Sequence, residues 1–534
     1  MTSTTALTQL VDSYLDLKWT VDPVEATAAG VTSHDGRLGS FGEDDVQQYI
    51  AAFKSIGSYL EECPVDTLQD EVDRTALLGD LRHTVHLLER EQPHVRNPIF
   101  WVSHVLEGLY LLLVFTDRSK DVRCQAAADR VRAIPACFTQ ARDTLRNCPQ
   151  VFVETARQMI RLGAPLLEQV RRTLAPDGDE RFDDDCADAQ QAIDAFASFL
   201  DEASWSGDGE FAIGEEAFNF RLHYQLALRN TAPELWRYGV ALIERVEHEL
   251  AGLAREIEVG VDWFDLVARL RTDHPPPGDL VGAYAAETQR ALAFISEQEI
   301  APIPGGTLDV IETPTFLQPL IPFAAYQPPG MFAAEKRGWL YVTPPPATSG
   351  GGKASRDHAM AELPATALHE GYPGHHLQFL AAQAQPRTIR KVVRSPITLE
   401  GWALYCEEMM GEQGFFGTRE ERLFQRVALF WRACRVILDV GLHTRGMCFD
   451  DAVGFLVDRA RLDRSLAEAE VRRYCAAPVY QLSYAIGRRE FLALRSAYRA
   501  ARGSEYSLKD FHRAVLEFGA LPVSLIRWGL ELDE

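Results

Sequence analysis

Apolar residues recur at three- and four-residue spacing through most of the first 300 positions, the period of helices with one buried face. Leu77–Leu88, Ala126–Ala141, Val151–Leu174 and Ala187–Ala203 each carry the pattern, and strand-like alternation is nearly absent there. Clusters such as Ala175-Pro176-Asp177-Gly178-Asp179 and Pro275-Pro276-Pro277-Gly278 punctuate the helices. No fixed-period repeat is present, which disfavours a solenoid. The texture changes between about residues 300 and 356: prolines at 302, 304, 314, 319 and 322 end any helix, and Leu340-Tyr341-Val342 predicts a short strand. Helical periodicity then resumes to the end. The pattern predicts a mostly α protein, one continuous body with an N-terminal helical half over 1–300 and a second half over 301–534.

Composition narrows the partners. With 46% hydrophobic and 25% charged residues, the chain is globular, and 534 residues suffice for several domains or one large helical body. A formal net charge of −23 argues against nucleic acid, because Arg171-Arg172 and Arg488-Arg489 fall in helical patterns and read as solvated faces. The opening residues lack a basic start followed by an apolar core, and the longest apolar run, Leu109–Phe115, is too short to span a bilayer. Neither a secretory signal nor a membrane partner is expected. Nine scattered cysteines, none in a CxxC pair, read as free thiols of a reducing cytoplasm. The stretch Pro344–Lys353 has a superficial phosphate-loop form, but Ala347 stands where the first glycine belongs and Ala354 follows the lysine. It reads as a flexible loop.

The candidate chemistry lies in Leu363-Pro364-Ala365-Thr366-Ala367-Leu368-His369-Glu370-Gly371-Tyr372-Pro373-Gly374-His375-His376-Leu377-Gln378. Pro364 suits the first turn of a helix running to His369. In the HExxH pattern, two histidines four apart hold zinc and the glutamate beside the first reaches the water at the ion. Here Pro373 stands at the fourth position, and the histidines come at six and seven. On an unbroken helix His376 shares a face with His369, but about 10 Å of rise separates them, too far for one zinc. Alternatively Tyr372-Pro373 bulges out as a two-residue insertion, which the missing amide of Pro373 and the freedom of Gly374 favour. His375 then returns to the second ligand position. This second geometry is the expectation.

A third ligand belongs on another helix. Ser395-Pro396 predicts a helix start with Ser395 as its cap, and Glu400 follows one turn later. Glu400 and Glu407 are seven apart and share a face, so one can ligate while the other braces a histidine from behind. The apolar neighbours Leu399 and Trp402 favour Glu400 as ligand over a solvated charge. The expected set is zinc on His369, His375 and Glu400, with His376 turned to substrate or a neighbouring helix.

HEGYPGHHLQ followed by EGWALYCE resembles the bacterial domain of unknown function 885 family, whose members carry HExxPGHH and EGWAxYxE. Later blocks extend the resemblance: Asp439-Val440-Gly441-Leu442-His443, Glu470-Val471-Arg472-Arg473-Tyr474, Gln481-Leu482-Ser483-Tyr484, and Phe511-His512-Arg513 with Gly519-Ala520-Leu521-Pro522. Pro23-Val24-Glu25-Ala26-Thr27 with Gly30 carries it close to the start. That family is similar in turn to the thimet-oligopeptidase and neurolysin type of zinc peptidases, with HEFGHxxH and a glutamate ligand on the next helix. The similarity implies His375 as second ligand, Gln378 at the place of the final histidine, and Glu400 and Glu407 at the relative's spacing. It also implies a zincin-like helical body in two halves about a deep channel. Two departures stand out. The insertion beside the metal is absent from the peptidases, and Tyr480 replaces the glutamine of the family's usual PGQALSY block.

The expected function is zinc-dependent hydrolysis of peptide bonds in short peptides. A hydrolase of a non-peptide amide or ester metabolite, or a metal-binding protein without turnover, is the alternative. Glu370 is the expected general base, taking a proton from water and delivering it to the leaving amine. Tyr484, and after it Tyr480, is the candidate donor to the developing oxyanion. Asp439 and His443, four apart on a helix, either orient a ligand or substrate or form a core hydrogen bond. His83 and His86 lack a carboxylate partner pattern, and no histidine follows His248-Glu249 at ligand spacing. The strand at Leu340–Val342 is expected to bond an extended peptide at its edge. Oligomeric state is not encoded in these patterns.

Overall fold

The computed structural model describes residues 3–532 apart from 177–178, 204, 206–209, 316, 319–320, 322 and 345–357. The phosphate-loop-like stretch, from residue 345, lies outside the described residues. The protein is mostly helical with one small sheet. The four helices expected from apolar spacing are present as Leu68–His86, Lys120–Thr144, Gln150–Leu174 and Phe182–Glu202. Thr67 and Ser119 start two of them, each accepting a backbone N–H of the first turn.

Contacts divide the chain into two compact units, residues 1–211 with 330–335, and residues 212–329 with 336–534. The change of texture near residue 300 therefore marks the start of a sheet within the second unit rather than a division of the chain. Ala232–Ile257, which precedes it, shares a core with the much later Arg419–Thr444, through Leu242, Val246 and Leu250 against Phe430, Ala433 and Val436. Arg171 and Arg172 do lie on a helix surface, both bonded to Glu168. Arg488 does not: it is buried, with its Nε 2.9 Å from Glu408. An arginine in a helical pattern has no solvated face when the neighbouring helix supplies a carboxylate.

The sheet has three strands in the order β1-β3-β2. β1 (Thr307–Glu312) runs parallel to β3 (Arg337–Val342), and β2 (Ala324–Gln327) runs antiparallel to it. Leu340–Val342 thus lie in the central strand, whose backbone groups are taken on both sides. The peptide edge expected there belongs to β1 or β2 instead. Two strands escaped the sequence reading because proline-broken, half-buried segments give little alternation. Leu340 and Val342 pack with Leu280, Tyr284, Leu363 and Ala367 in one buried cluster, so the sheet seats the helix that ends at His369 and Glu370.

Opposite that helix, Pro396–Glu412 crosses Ser483–Arg502 at Gly401 and Gly487. A Cβ on Gly401 would lie 2.5 Å from the Gly487 Cα, so the two backbones touch. Ser395 occupies the cap position of the first of these helices, but its hydroxyl donates to the Gln225 carbonyl at 3.2 Å rather than capping.

Candidate metal centre

Gly371-Tyr372-Pro373-Gly374 separate the helix Leu363–Glu370 from the helix His375–Gln383. The Gly374 N–H bonds the Leu368 carbonyl at 3.0 Å, and the Leu377 N–H reaches the Gly371 carbonyl at 3.4 Å. Each bond spans six residues where a regular helix spans four, so two extra residues are accommodated while the chain resumes the same course. The expected insertion is thus a complete interruption of the helix, since neither Gly371 (ψ −105°) nor Gly374 (ψ −133°) keeps helical dihedrals. A Cβ at residue 374 would lie 1.9 Å from the His369 carbonyl oxygen, which restricts the position to glycine. Trp402 holds the break from outside, its Nε1 donating to the Pro373 carbonyl at 2.9 Å.

This path brings His375 back beside His369, with ring centroids 4.9 Å apart and planes at 88°. Glu400 completes the group: its Oε2 lies 3.8 Å from His369 Nε2 and 3.5 Å from His375 Nε2. The three ligand atoms lie within 4.8 Å of one another, all on buried residues, in the one such cluster among the described residues. Behind it, Glu407 Oε1 sits 2.7 Å from His369 Nδ1. Burial disfavours a charged His369, but the carboxylates of Glu400 and Glu407 beside it outweigh that and raise its pKa to about 9. Burial likewise disfavours the Glu400 carboxylate, yet His369 and His375 hold its pKa well below the ordinary range.

The donor set fits zinc. Two imidazoles and one carboxylate form a catalytic class that keeps an open position, and a carboxylate behind a ligating histidine fixes the ring's orientation. Glu400 Oε2 is buried without a hydrogen-bond partner, an arrangement that costs free energy until a cation or donor meets it.

The other expected residues fall into distinct places. Glu370 is half-buried and makes no hydrogen bond with any described residue. His376 points away from the cluster: its Nδ1 lies 2.9 Å from the Tyr326 hydroxyl on β2, and burial lowers its pKa to about 4. Gln378 donates to the Thr398 carbonyl at 3.1 Å and ties the second histidine helix to the Glu400 helix. Tyr480 donates its hydroxyl to Glu400 Oε1, which makes it a brace on that carboxylate. The Tyr484 ring stacks near His369 with centroids 6.5 Å apart, and its hydroxyl has no partner among the described residues. Burial, followed by the charge of Glu400, pushes its pKa up to about 12.

Asp439 and His443 do not pair. Asp439 accepts from the Val479 and Leu482 amides, each at 3.0 Å, and so fixes the turn that presents Tyr480. His443 Nε2 is 3.1 Å from the Tyr474 carbonyl. Sequence reasoning missed Tyr326, whose only local signal was the Ala324-Ala325-Tyr326-Gln327 stretch. It also missed Arg432 and Arg435, which lie one turn apart at Tyr484.

The model of a family described as bacterial protein of unknown function (DUF885) matches residues 23–529. No curated protein matches the chain. Two solved structures are similar in fold. A protein from Shewanella oneidensis, described as "a putative lipoprotein of unknown function", gives a TM-score of 0.80 at 23% identity, covering 99% of this chain and 100% of that one. One from Colwellia psychrerythraea, described as a "putative lipoprotein", gives 0.82 at 16% identity, covering 98% of each chain. Among the described residues, no single helix is long and apolar enough to cross a membrane.

Proposed function

We propose that this chain, which belongs to the DUF885 family of bacterial proteins, is a zinc-dependent hydrolase that cleaves peptide bonds in short peptides. The observation that carries the reading is the convergence of His369, His375 and Glu400 on one buried point, with the unengaged Glu370 carboxylate next in sequence to the first ligand. These three residues would hold the ion, which when bound supplies Lewis acidity that polarises a carbonyl and lowers the pKa of water towards about 7. Glu370 accepts the proton that the attacking water loses and returns it to the leaving amine. The Tyr484 hydroxyl, held protonated by burial, donates to the oxyanion that develops on the scissile carbonyl. Glu407 keeps His369 oriented, and Tyr480 does the same for Glu400.

The similarity to thimet-oligopeptidase-type peptidases, and the channel and short-peptide preference it implies, belong to the same proposal. So does a cytoplasmic location, which nine free cysteines favour; the lipoprotein descriptions of the two solved proteins point elsewhere. The test is incubation of zinc-loaded protein with a mixed library of peptides of three to eight residues, products being identified by mass spectrometry. Zinc-dependent cleavage is expected. Intact peptides alongside hydrolysis of a simple amide or ester would move the substrate to a non-peptide metabolite.

A further inference from the structure

The wall beside Tyr484 is cationic in a protein of net charge −23. Arg435 and Arg473 both serve Glu470, at 3.2 and 2.7 Å, and Arg435 Nε also donates to the Tyr474 hydroxyl at 3.1 Å. Their charge is spent inside the protein. Arg432, one turn before Arg435, is different. It is half-buried, its one hydrogen bond runs from Nη1 to its own helix at the Ala428 carbonyl, and it forms no ion pair with any described residue. Its Nε is buried without an acceptor, and so is Nε1 of the adjacent Trp431.

Two neighbouring donors lacking acceptors, one of them a guanidinium, match the chemistry of a carboxylate. A carboxylate beside the Arg432 guanidinium would give it the charge-assisted pairing that arginine favours. The Arg432 guanidinium carbon lies 5.9 Å from the Tyr484 ring centre, and that ring lies 6.5 Å from the ring of His369. An extended residue spans about 3.3–3.6 Å, so the separation corresponds to a few residues of peptide at most.

We propose that Arg432, with Trp431 beside it, is the subsite for a carboxylate of the substrate close to the scissile bond. The proposal rests on the hydrolase reading for its position relative to the reacting bond, but the anion site can be measured without turnover. The carboxylate is either the free C-terminus of a peptide or an acidic side chain.

The experiment is calorimetric titration of zinc-loaded Glu370→Gln protein with three probes: acetyl-Ala-Ala-Ala, its C-terminal amide, and acetyl-Ala-Glu-Ala-amide. The free acid should bind about tenfold more tightly than the amide, and Arg432→Gln should abolish that advantage while keeping zinc content and melting temperature. Arg432→Lys should restore part of it. A tight-binding glutamate amide, with the plain amide weak, also supports the site and assigns the carboxylate to a side chain. Equal binding of acid and amide, an advantage that survives Arg432→Gln, or no binding of any probe at 5 mM overturns the proposal. An Arg432-dependent preference in a wild-type protein that hydrolyses none of the probes leaves the anion site standing and removes the peptide-hydrolase reading.

Discussion

The Trp402 indole donates to the Pro373 carbonyl at 2.9 Å, so the helix that supplies Glu400 also holds the backbone break that turns His375 toward it. The cluster of His369, His375 and Glu400 and the chain path are therefore one construction. His376, a single residue further on, faces Tyr326 instead.

The first prediction separates these two histidines. His375→Ala should lower zinc affinity by more than about a hundredfold in competition with a chelator, whereas His376→Ala should lower it no more than about tenfold. Trp402→Phe, which removes the donor to Pro373, should fall between them. If His376→Ala proves the more damaging of the histidine variants, His375 is not the ligand.

The second concerns Glu370. Glu370→Gln should retain about one zinc per chain and lose a hundred- to ten-thousandfold of kcat, because the group moves a proton and does not belong to the ligand cluster. Turnover at the wild-type rate would remove it from the mechanism.

The two tyrosines should separate by readout. Tyr480→Phe deletes the hydrogen bond to Glu400 and should weaken zinc binding by about tenfold. Tyr484→Phe should leave zinc binding unchanged and lower kcat about a hundredfold with little change in KM. Identical effects of the two substitutions on metal affinity would contradict the division of roles.

A fourth prediction follows from the raised pKa of His369, at about 9. In the metal-free protein this imidazole is protonated at neutral pH, and its proton must leave before Nε2 can ligate. Zinc affinity should therefore rise by about tenfold per pH unit from pH 7 and level off near 9. The same shift, upward from 6.5, gives metal-free protein a stabilising contribution that is full below about pH 6.5 and lost as pH rises through about 9. Affinity that is flat between pH 7 and 9 would mean that His369 is already neutral.

Much of the centre could be read in the chain because its chemistry is local. His369, Glu370 and His375 lie within one short segment, and Glu400 and Glu407 share a helix face by spacing alone. What stayed hidden depends on residues brought together from afar. The turn around Tyr480 is set by Asp439, forty positions earlier, and no periodicity marks that partnership. β1 and β2 were hidden because their half-buried strands lie in a proline-rich stretch, where burial comes from β3 rather than from their own pattern. Arg488 was misread for the same reason, its carboxylate partner lying eighty positions away.

The contact between Gly401 and Gly487 sets, through main-chain atoms, how closely the helix of Glu400 approaches the helix of Tyr484. Side-chain drift elsewhere leaves that spacing intact, whereas every amino-acid replacement at either glycine installs at least a methyl-sized wedge and parts the helices. Glu400 and Tyr484 would then be displaced together, not one at a time. Divergence among descendants of this protein is thereby steered away from the cluster of His369, His375 and Glu400 and into residues beyond this crossing.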